Sequence, residues 1–158
     1  MGIYSGAEIF QIAMELEETG RAFYEKLAEQ SDDPRVSSVC RKLAAEEQSH
    51  FQTFKKMGAE LVQRPASRPL TWDELNFAQI LIEERLLSDS DAAEAAATSG
   101  DTVEVLNTAI QLEKDSVLFY QELLSEVDDP DVPAIREIIA EEKRHVLSLV
   151  EARKEIAS

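Results

Sequence analysis

The chain lacks a cysteine framework, a basic surface and any long apolar run. Cys40 is the single cysteine among 158 residues, which excludes an intramolecular disulfide framework and a Cys-x-x-Cys metal ribbon. The net charge of −16 argues against binding to nucleic acid or to an anionic membrane, because both need a basic face. No segment approaches the roughly 18 apolar residues of a membrane helix, and the N-terminus does not resemble a signal peptide. We therefore expect a cytoplasmic protein without nucleic-acid or membrane partners.

Residues that interrupt helices are also scarce. The sequence has five glycines and five prolines, with 44% hydrophobic and 30% charged residues. This composition is typical of a folded protein and favours helix. A length of 158 residues is enough for one domain with a complete core. We predict an all-α fold in a single domain, residues 1–158.

The two halves of the chain repeat one another. The segment AMELEETGRAFYEKL (13–27) resembles AIQLEKDSVLFYQEL (109–123), and a DDP turn follows each copy. The segment AAEEQSH (44–50) then resembles IAEEKRH (139–145). Internal repeats of this kind indicate a duplicated supersecondary unit. Each half is predicted to be a hairpin of two helices.

Capping signals and a central segment complete the predicted architecture. Asp33-Pro34 and Asp129-Pro130 each offer an N-cap residue before a proline at the first helical position, and Asp101 can cap another helix. The segment TWDELNFAQILIEERLL between the halves has the pattern of an amphipathic helix. The organisation is a four-helix bundle with a long crossover that carries one or two extra helices. We place the long helices near 6–30, 34–57, 102–127 and 131–156, and the units at 5–58 (hairpin), 59–100 (crossover) and 101–157 (hairpin).

Both histidines of the chain follow a glutamate by three residues. Glu47 and His50 in the first half match Glu142 and His145 in the second. Residues at i and i+3 lie on one face of a helix, so each pair points in one direction. Carboxylate and imidazole on a shared face are a candidate metal site.

A further glutamate occupies the first helix of each hairpin. Glu17 and Glu113 lie close to the apolar stripe of their helices, and a carboxylate on a buried face is costly unless it is paired or bound to a cation. The repeat favours a metal site. The alternative is a structural ion-pair network, because duplication copies a solvated glutamate as readily as a ligand.

The complete set resembles the ligand pattern of ferritin-like di-metal carboxylate proteins. The segments LEETGRAFY and LEKDSVLFY are most similar to the rubrerythrin-related branch of that superfamily. The resemblance covers essentially the whole chain and implies a ferritin-like bundle with two metal ions, usually iron. The implied metal ligands are Glu17, Glu47, His50, Glu113, Glu142 and His145.

The resemblance also implies a role for each ligand. Glu47 and Glu142 would bridge the metals, Glu17 and Glu113 would be terminal carboxylates, and each histidine would supply one nitrogen. Four carboxylates balance two divalent ions. Oxygen and nitrogen ligands without thiolate suit iron or manganese, and zinc would also bind. Open coordination positions would distinguish a reactive centre from a sealed one.

Two departures from rubrerythrins narrow this interpretation. The sequence carries no cysteine-rich rubredoxin domain, so electrons are expected from a separate donor. Ser116, with Gly20 as its counterpart, stands where rubrerythrins have an extra carboxylate. The loss of that carboxylate weakens the case for the peroxidase activity of the family.

Four further residues accompany the ligand set. Tyr24 and Tyr120 follow Glu17 and Glu113 by two helical turns. Either they fill the core and hydrogen bond a carboxylate, or they have a redox role as catalytic residues. Glu46 and Glu141 lie about 100° around their helices from the ligands, and we expect them to be solvated or in ion pairs.

The sequence supports three hypotheses of different classes. The first is a di-iron oxidoreductase that reacts with dioxygen or hydrogen peroxide, as a peroxidase or as a ferroxidase with Fe²⁺ as its substrate. The second is a metal-binding or sensing bundle with little turnover. The third is a helical adaptor without metal, in which removal of buried charge would raise stability. A homodimer is expected, with Trp72 and the crossover helix in its interface.

Overall fold

Four long helices form the described part of the chain. The computed structural model describes residues 6–61, 80, 101–127 and 129–158, and no strand occurs among them. None of the helices in these ranges is long and apolar enough to cross a membrane. The all-α class is confirmed, whereas the crossover helix and Trp72 lie outside the described residues. The helices are α1 (Gly6–Gln30), α2 (Pro34–Leu61), α3 (Thr102–Glu126) and α4 (Val132–Ala157).

The helices pack as two hairpins, α1 against α2 and α3 against α4, with α2 also in contact with α4. In the first hairpin the buried hydroxyl of Ser37 donates to the carbonyl oxygen of Ala28 at 2.7 Å. The backbone N–H of Ser31 donates to the carbonyl oxygen of Leu27 at 3.0 Å. These bonds satisfy polar groups at the turn, where helical partners run out. The two hairpins are therefore those expected from the repeat.

Aspartates begin two of the four helices. Asp101 precedes α3, and its carboxylate accepts hydrogen bonds from the backbone N–H groups of Val103 at 3.0 Å and Glu104 at 3.3 Å. Asp33 precedes α2 and accepts from the N–H of Arg35 at 2.9 Å. Each cap satisfies N–H groups that have no partner within the helix. Both predicted caps are confirmed.

The cap predicted for the fourth helix at Asp129-Pro130 is wrong, whereas the helix begins within one residue of the predicted position 131. Residues Asp129–Asp131 form a 3₁₀ turn, and α4 begins at Val132 with no side-chain cap from Asp131. A second proline, Pro133, explains the later start, because it lies in the first turn of α4 and its fixed φ suits that place. Pro133 also has no N–H for a cap to satisfy.

Helix α2 continues past its predicted end at residue 57 to Leu61. Gly58 lies within the added stretch, although glycine costs about 1 kcal/mol in a helix. A Cβ at this position would lie 3.4 Å from Cβ of Phe10 in α1. Met57 and Phe54 beside it are buried. The close packing of α1 on α2 offsets the intrinsic preference of glycine.

The buried apolar residues form two clusters on either side of a polar layer. The turn-side cluster, named for the turn between α1 and α2, includes Phe23, Leu27, Val36, Cys40, Leu43, Leu106, Leu112 and Leu149. The opposite cluster includes Phe10, Leu16, Phe54, Met57, Phe119, Leu123, Ile135 and Ile138. Burial of each large apolar side chain stabilises the fold by about 1.5–3 kcal/mol. Along each helix, the predicted metal ligands separate residues of one cluster from residues of the other.

Cys40 belongs to the turn-side cluster and is fully buried. Burial raises the pKa of its thiol to about 12. The thiol therefore stays protonated at neutral pH and packs as a small apolar side chain. Its counterpart in the repeat, Ile135, is equally buried in the opposite cluster.

The cap of α3 leads to the first testable prediction. The substitution Asp101→Ala should lower the free energy of unfolding by about 1 kcal/mol, because two N–H groups lose their acceptor. Asp101→Asn keeps an acceptor oxygen and should lose only a fraction of that amount. Urea denaturation of the two variants and the parent measures the difference. Equal losses in both variants would show that the cap bonds do not stabilise α3.

Candidate metal centre

The six residues expected to bind metal are buried together between the two apolar clusters. Their side chains are 1–2% exposed. Each helix supplies at least one of them, because the repeat places a glutamate in the middle of α1 and α3 and a Glu-x-x-His segment in the middle of α2 and α4. The structure thus brings all members of the predicted set into one layer, namely Glu17, Glu47, His50, Glu113, Glu142 and His145.

The six residues divide into two overlapping groups of four. Within each group, one ligand atom from every residue lies within 4.8 Å of the others. One group consists of Glu17, Glu47, His50 and Glu142, and the other of Glu47, Glu113, Glu142 and His145. Two carboxylates, from Glu47 and Glu142, belong to both groups. Shared carboxylates between two donor sets are what a pair of neighbouring cations requires.

Both imidazole rings direct Nδ1 into the layer. Nδ1 of His50 lies 2.9 Å from Glu142 Oε1 and 3.4 Å from Glu17 Oε2. Nδ1 of His145 lies 3.4 Å from an oxygen of Glu47, 3.4 Å from one of Glu113 and 3.5 Å from one of Glu142. The two rings stack with their centroids 5.7 Å apart.

Many polar atoms of this layer have no hydrogen-bond partner among the described residues. They are Glu17 Oε2, Glu47 Oε1, Glu113 Oε2, both carboxylate oxygens of Glu142, and Nδ1 of both histidines. An unsatisfied buried polar group costs about 1–3 kcal/mol, and more when it is charged. These atoms lie close because they converge on common points, rather than because they bond one another. The donor set, oxygen and imidazole nitrogen without sulfur, therefore fits two divalent cations.

Burial and mutual repulsion raise the pKa values of two glutamates. Burial, followed by the charges of Glu47 and Glu142, raises the pKa of Glu17 well above its usual value. Burial and the charges of Glu47 and Glu113 raise the pKa of Glu142 to about 8. Without cations, these carboxylates therefore hold protons near neutral pH.

The remaining groups show how protons are distributed. Burial alone would raise the pKa of Glu113, but the Glu142 carboxyl and the His145 imidazole beside it lower that pKa to about 2. Of these two neighbouring carboxyls, Glu142 has the raised pKa and Glu113 the lowered one. Burial opposes charge on His50, yet the carboxylates of Glu142 and Glu17 raise its pKa to about 12. Protons compensate the negative charge where cations would otherwise do so.

The two tyrosines contact the terminal carboxylates across the bundle. The hydroxyl of Tyr24 in α1 donates to Glu113 Oε1 in α3, and the hydroxyl of Tyr120 in α3 donates to Glu17 Oε1 in α1. Both rings are buried. Burial and then the charge of Glu113 raise the pKa of Tyr24 well above its usual value, so its hydroxyl keeps its proton. This is the carboxylate contact expected in the structural interpretation of the tyrosines.

Glu46 and Glu141, the outer carboxylates of the repeated segment, contact the candidate ligands directly, which the sequence did not indicate. Oε2 of Glu141 lies 2.5 Å from Nε2 of His50, and Oε2 of Glu46 lies 3.0 Å from Nε2 of His145. The expected ion pairs are present, but with the candidate ligands themselves. The signal was in the repeat, since Ala-Glu-Glu-x-x-His includes this glutamate in both copies.

Small residues follow Glu17 and Glu113 one helical turn later. Gly20 and Ser116 are both buried. The Ser116 hydroxyl donates to the carbonyl oxygen of Leu112 in its own helix at 3.1 Å. Neither residue supplies a carboxylate to the layer.

Comparisons with known proteins agree with this geometry. A family model described as a ferritin-like domain matches residues 5–154. A solved structure from Thermotoga maritima, described as a ferritin-like diiron-carboxylate protein, is similar over 98% of each chain, with 28% sequence identity and a TM-score of 0.69. No curated protein matches the chain. Because the family model spans all four helices and the whole buried polar layer, the chain belongs to the family of ferritin-like domains.

Proposed function

We propose that this protein is a dinuclear iron oxidoreductase of the rubrerythrin type that reacts with dioxygen or hydrogen peroxide, by peroxide reduction or by oxidation of ferrous iron. The observation that carries the proposal is the pair of overlapping donor groups with unsatisfied inward atoms. The similar protein from Thermotoga maritima, described as a diiron-carboxylate protein, supports iron as the metal. Manganese and zinc would fit the same donors.

Each residue of the layer has a distinct role in this proposal. Glu47 and Glu142 would be shared by the two ions, because they belong to both donor groups. Glu17 and Glu113 would each serve one ion, and each is oriented by a tyrosine hydroxyl from the other hairpin. Nδ1 of each histidine completes one group. Two iron ions held there would supply electrons and open coordination positions for an oxygen-containing substrate.

Apolar side chains surround the candidate metal centre. The turn-side and opposite clusters enclose the layer and exclude water from it, so electrostatic interactions there are strong. The hydroxyls of Tyr24 and Tyr120 donate hydrogen bonds to Glu113 and Glu17. A catalytic redox role of the tyrosines is part of this proposal, as is a separate electron donor. A homodimer is the proposed assembly.

A metal-binding or sensing protein with little turnover is the second candidate. It is favoured by Gly20 and Ser116, which supply no carboxylate where rubrerythrins carry one. In this version the bundle holds its ions tightly, and their presence stabilises one conformation. Zinc or manganese would serve as well as iron. Turnover of peroxide or oxygen by the iron-loaded protein distinguishes the two candidates.

Ferrous iron provides the direct test. Two equivalents of Fe²⁺ added to metal-free protein in air should bind, consume oxygen or peroxide and develop a ligand-to-metal absorption band. Glu47→Gln combined with Glu142→Gln should abolish all three results, because each donor group loses both of its shared carboxylates. Exposed Glu122→Gln is the matched control. Binding of two ions without turnover would favour the second candidate.

Absence of metal binding would leave the helical adaptor. In that case Glu47→Ala with Glu142→Ala would leave metal content unchanged and raise stability, because buried charge is relieved. If the site binds metal, the parent protein should be more stable than this double variant when cations are present.

The stability of metal-free protein should fall as pH rises from 5 to 8. Glu142 ionises near pH 4.5 when unfolded and near pH 8 when folded, so only the folded chain keeps its proton between these values. His50 acts in the same direction from pH 6.5 upwards. Glu113 is ionised in both states above pH 5 and does not contribute to the slope. Each retained proton gives a slope of about 1.4 kcal/mol per pH unit.

Urea denaturation at several pH values, with and without Zn²⁺, measures this slope. The stabilisation by zinc should grow with pH, because cations displace protons from the layer. The variant Glu142→Gln should have a shallower slope than the parent, whereas Glu122→Gln should not. Constant or rising stability of the metal-free protein between pH 5 and 8 would contradict the proton distribution described above.

The tyrosine contacts should stabilise the layer. Tyr24→Phe and Tyr120→Phe each leave a buried carboxylate oxygen without its donor, so each should lower the free energy of unfolding by about 1–3 kcal/mol. Metal stoichiometry should remain at two per chain. Phe23→Leu, which changes ring packing beside Tyr24 without removing a hydroxyl, is the control. A radical signal in the parent that is lost in either tyrosine variant would support the redox role, and full retention of turnover in both variants would contradict it.

A further inference from the structure

The outer carboxylates of α2 and α4 form crossed contacts with the histidines. Glu46 in α2 approaches His145 in α4, and Glu141 in α4 approaches His50 in α2. Each contact joins the two hairpins. Each hairpin therefore supplies the carboxylate that faces the histidine of the other hairpin.

These contacts determine which nitrogen of each ring faces outward. The carboxylates lie at Nε2, at 2.5 Å for His50 and 3.0 Å for His145, while both Nδ1 atoms face the buried layer. A neutral imidazole carries a proton on one nitrogen and a lone pair on the other. A carboxylate at Nε2 favours the tautomer with its proton there, which leaves the Nδ1 lone pair for a cation.

We propose that Glu46 and Glu141 are positioning residues that hold the two histidines in the tautomer and orientation needed for metal binding through Nδ1. The inference rests on the proposed dinuclear centre. It adds a requirement that neither hairpin meets alone, because the ligand histidine of each hairpin depends on a carboxylate of the other. The residues act through the imidazoles and do not belong to either donor group.

The position of these carboxylates suits that role. Their side chains are partly exposed, 38% for Glu46 and 32% for Glu141, so their oxygens can face the imidazoles without the full cost of burying a polar group. They line a surface cleft of about 200 Å³ whose wall also includes His145. Arg144 lies 3.7 Å from Glu141 on the same helix.

The contact between Glu46 and His145 has the distance of a hydrogen bond but not its alignment. Nε2 of His145 makes no hydrogen bond within the described ranges, although the Glu46 oxygen is 3.0 Å away. The distance is that of a hydrogen bond, so the direction is what differs. A small rotation of the partly exposed Glu46 side chain would align its oxygen with the N–H. The His50 contact is already a hydrogen bond.

Metal affinity gives the first readout. Glu46→Ala and Glu141→Ala should each weaken binding of Zn²⁺ by about 10–100-fold, as loss of an outer partner of a metal-binding histidine does elsewhere. Glu46→Gln and Glu141→Gln should weaken it less, because the amide oxygen still accepts from Nε2–H. Glu151→Ala is the matched control, since exposed Glu151 lines the same cleft and its loss removes the same charge. An Ala variant with the affinity of the parent would overturn the proposal.

Nuclear magnetic resonance of the imidazoles gives a second, independent readout. The chain has only two histidines, so a long-range ¹H–¹⁵N spectrum of the zinc-loaded protein contains two ring systems. Both should show a protonated Nε2 and a metal-bound Nδ1. Glu141→Ala should change mainly the signals of His50, and Glu46→Ala those of His145. Two bound zinc ions with coordination through Nε2 would overturn this inference alone, whereas failure of zinc to bind would overturn the proposed centre as well.

Discussion

Repulsion among four buried carboxylates is the constraint to which the rest of the structure responds. Their oxygens converge within one layer, where the basic side chains that the described residues supply are the two histidines. Large apolar clusters above and below the layer supply the stability that such a layer lacks, at about 1.5–3 kcal/mol for each buried side chain. The charge must still be balanced locally, by protons or by cations. Stability and metal binding are therefore linked through the same atoms.

Much of this site was predictable because it is encoded twice. The repeated Glu-x-x-His segments and the matched glutamates of the first helices identified the residues that the structure brings together. A helical period also predicts which residues of one helix share a face. The buried layer needed no further information than these two regularities, since every member lies on the inward stripe of its helix.

Features that depend on contacts between helices were less accessible. Glu46 and Glu141 were assigned to a solvated or ion-paired face, since a helical period cannot show that a histidine of the opposite hairpin lies beside them. Helix α2 was predicted to end at residue 57, but it continues through Gly58, which packs close to Phe10 of α1. At Asp129-Pro130 the local cap signal was overridden by the second proline at Pro133. In each case a neighbour decided the outcome.

The reciprocal contacts have a consequence for how such a protein could arise. Tyr24 and Tyr120 each hydrogen bond a glutamate of the other hairpin, and Glu46 and Glu141 each approach a histidine of the other hairpin. One hairpin holds half of the donors and half of the groups that orient them. Two identical copies of an ancestral hairpin, associated about a two-fold axis, would have supplied a whole centre before the genes were fused. Fusion would then have freed each half to diverge, as Gly20 and Ser116 have done.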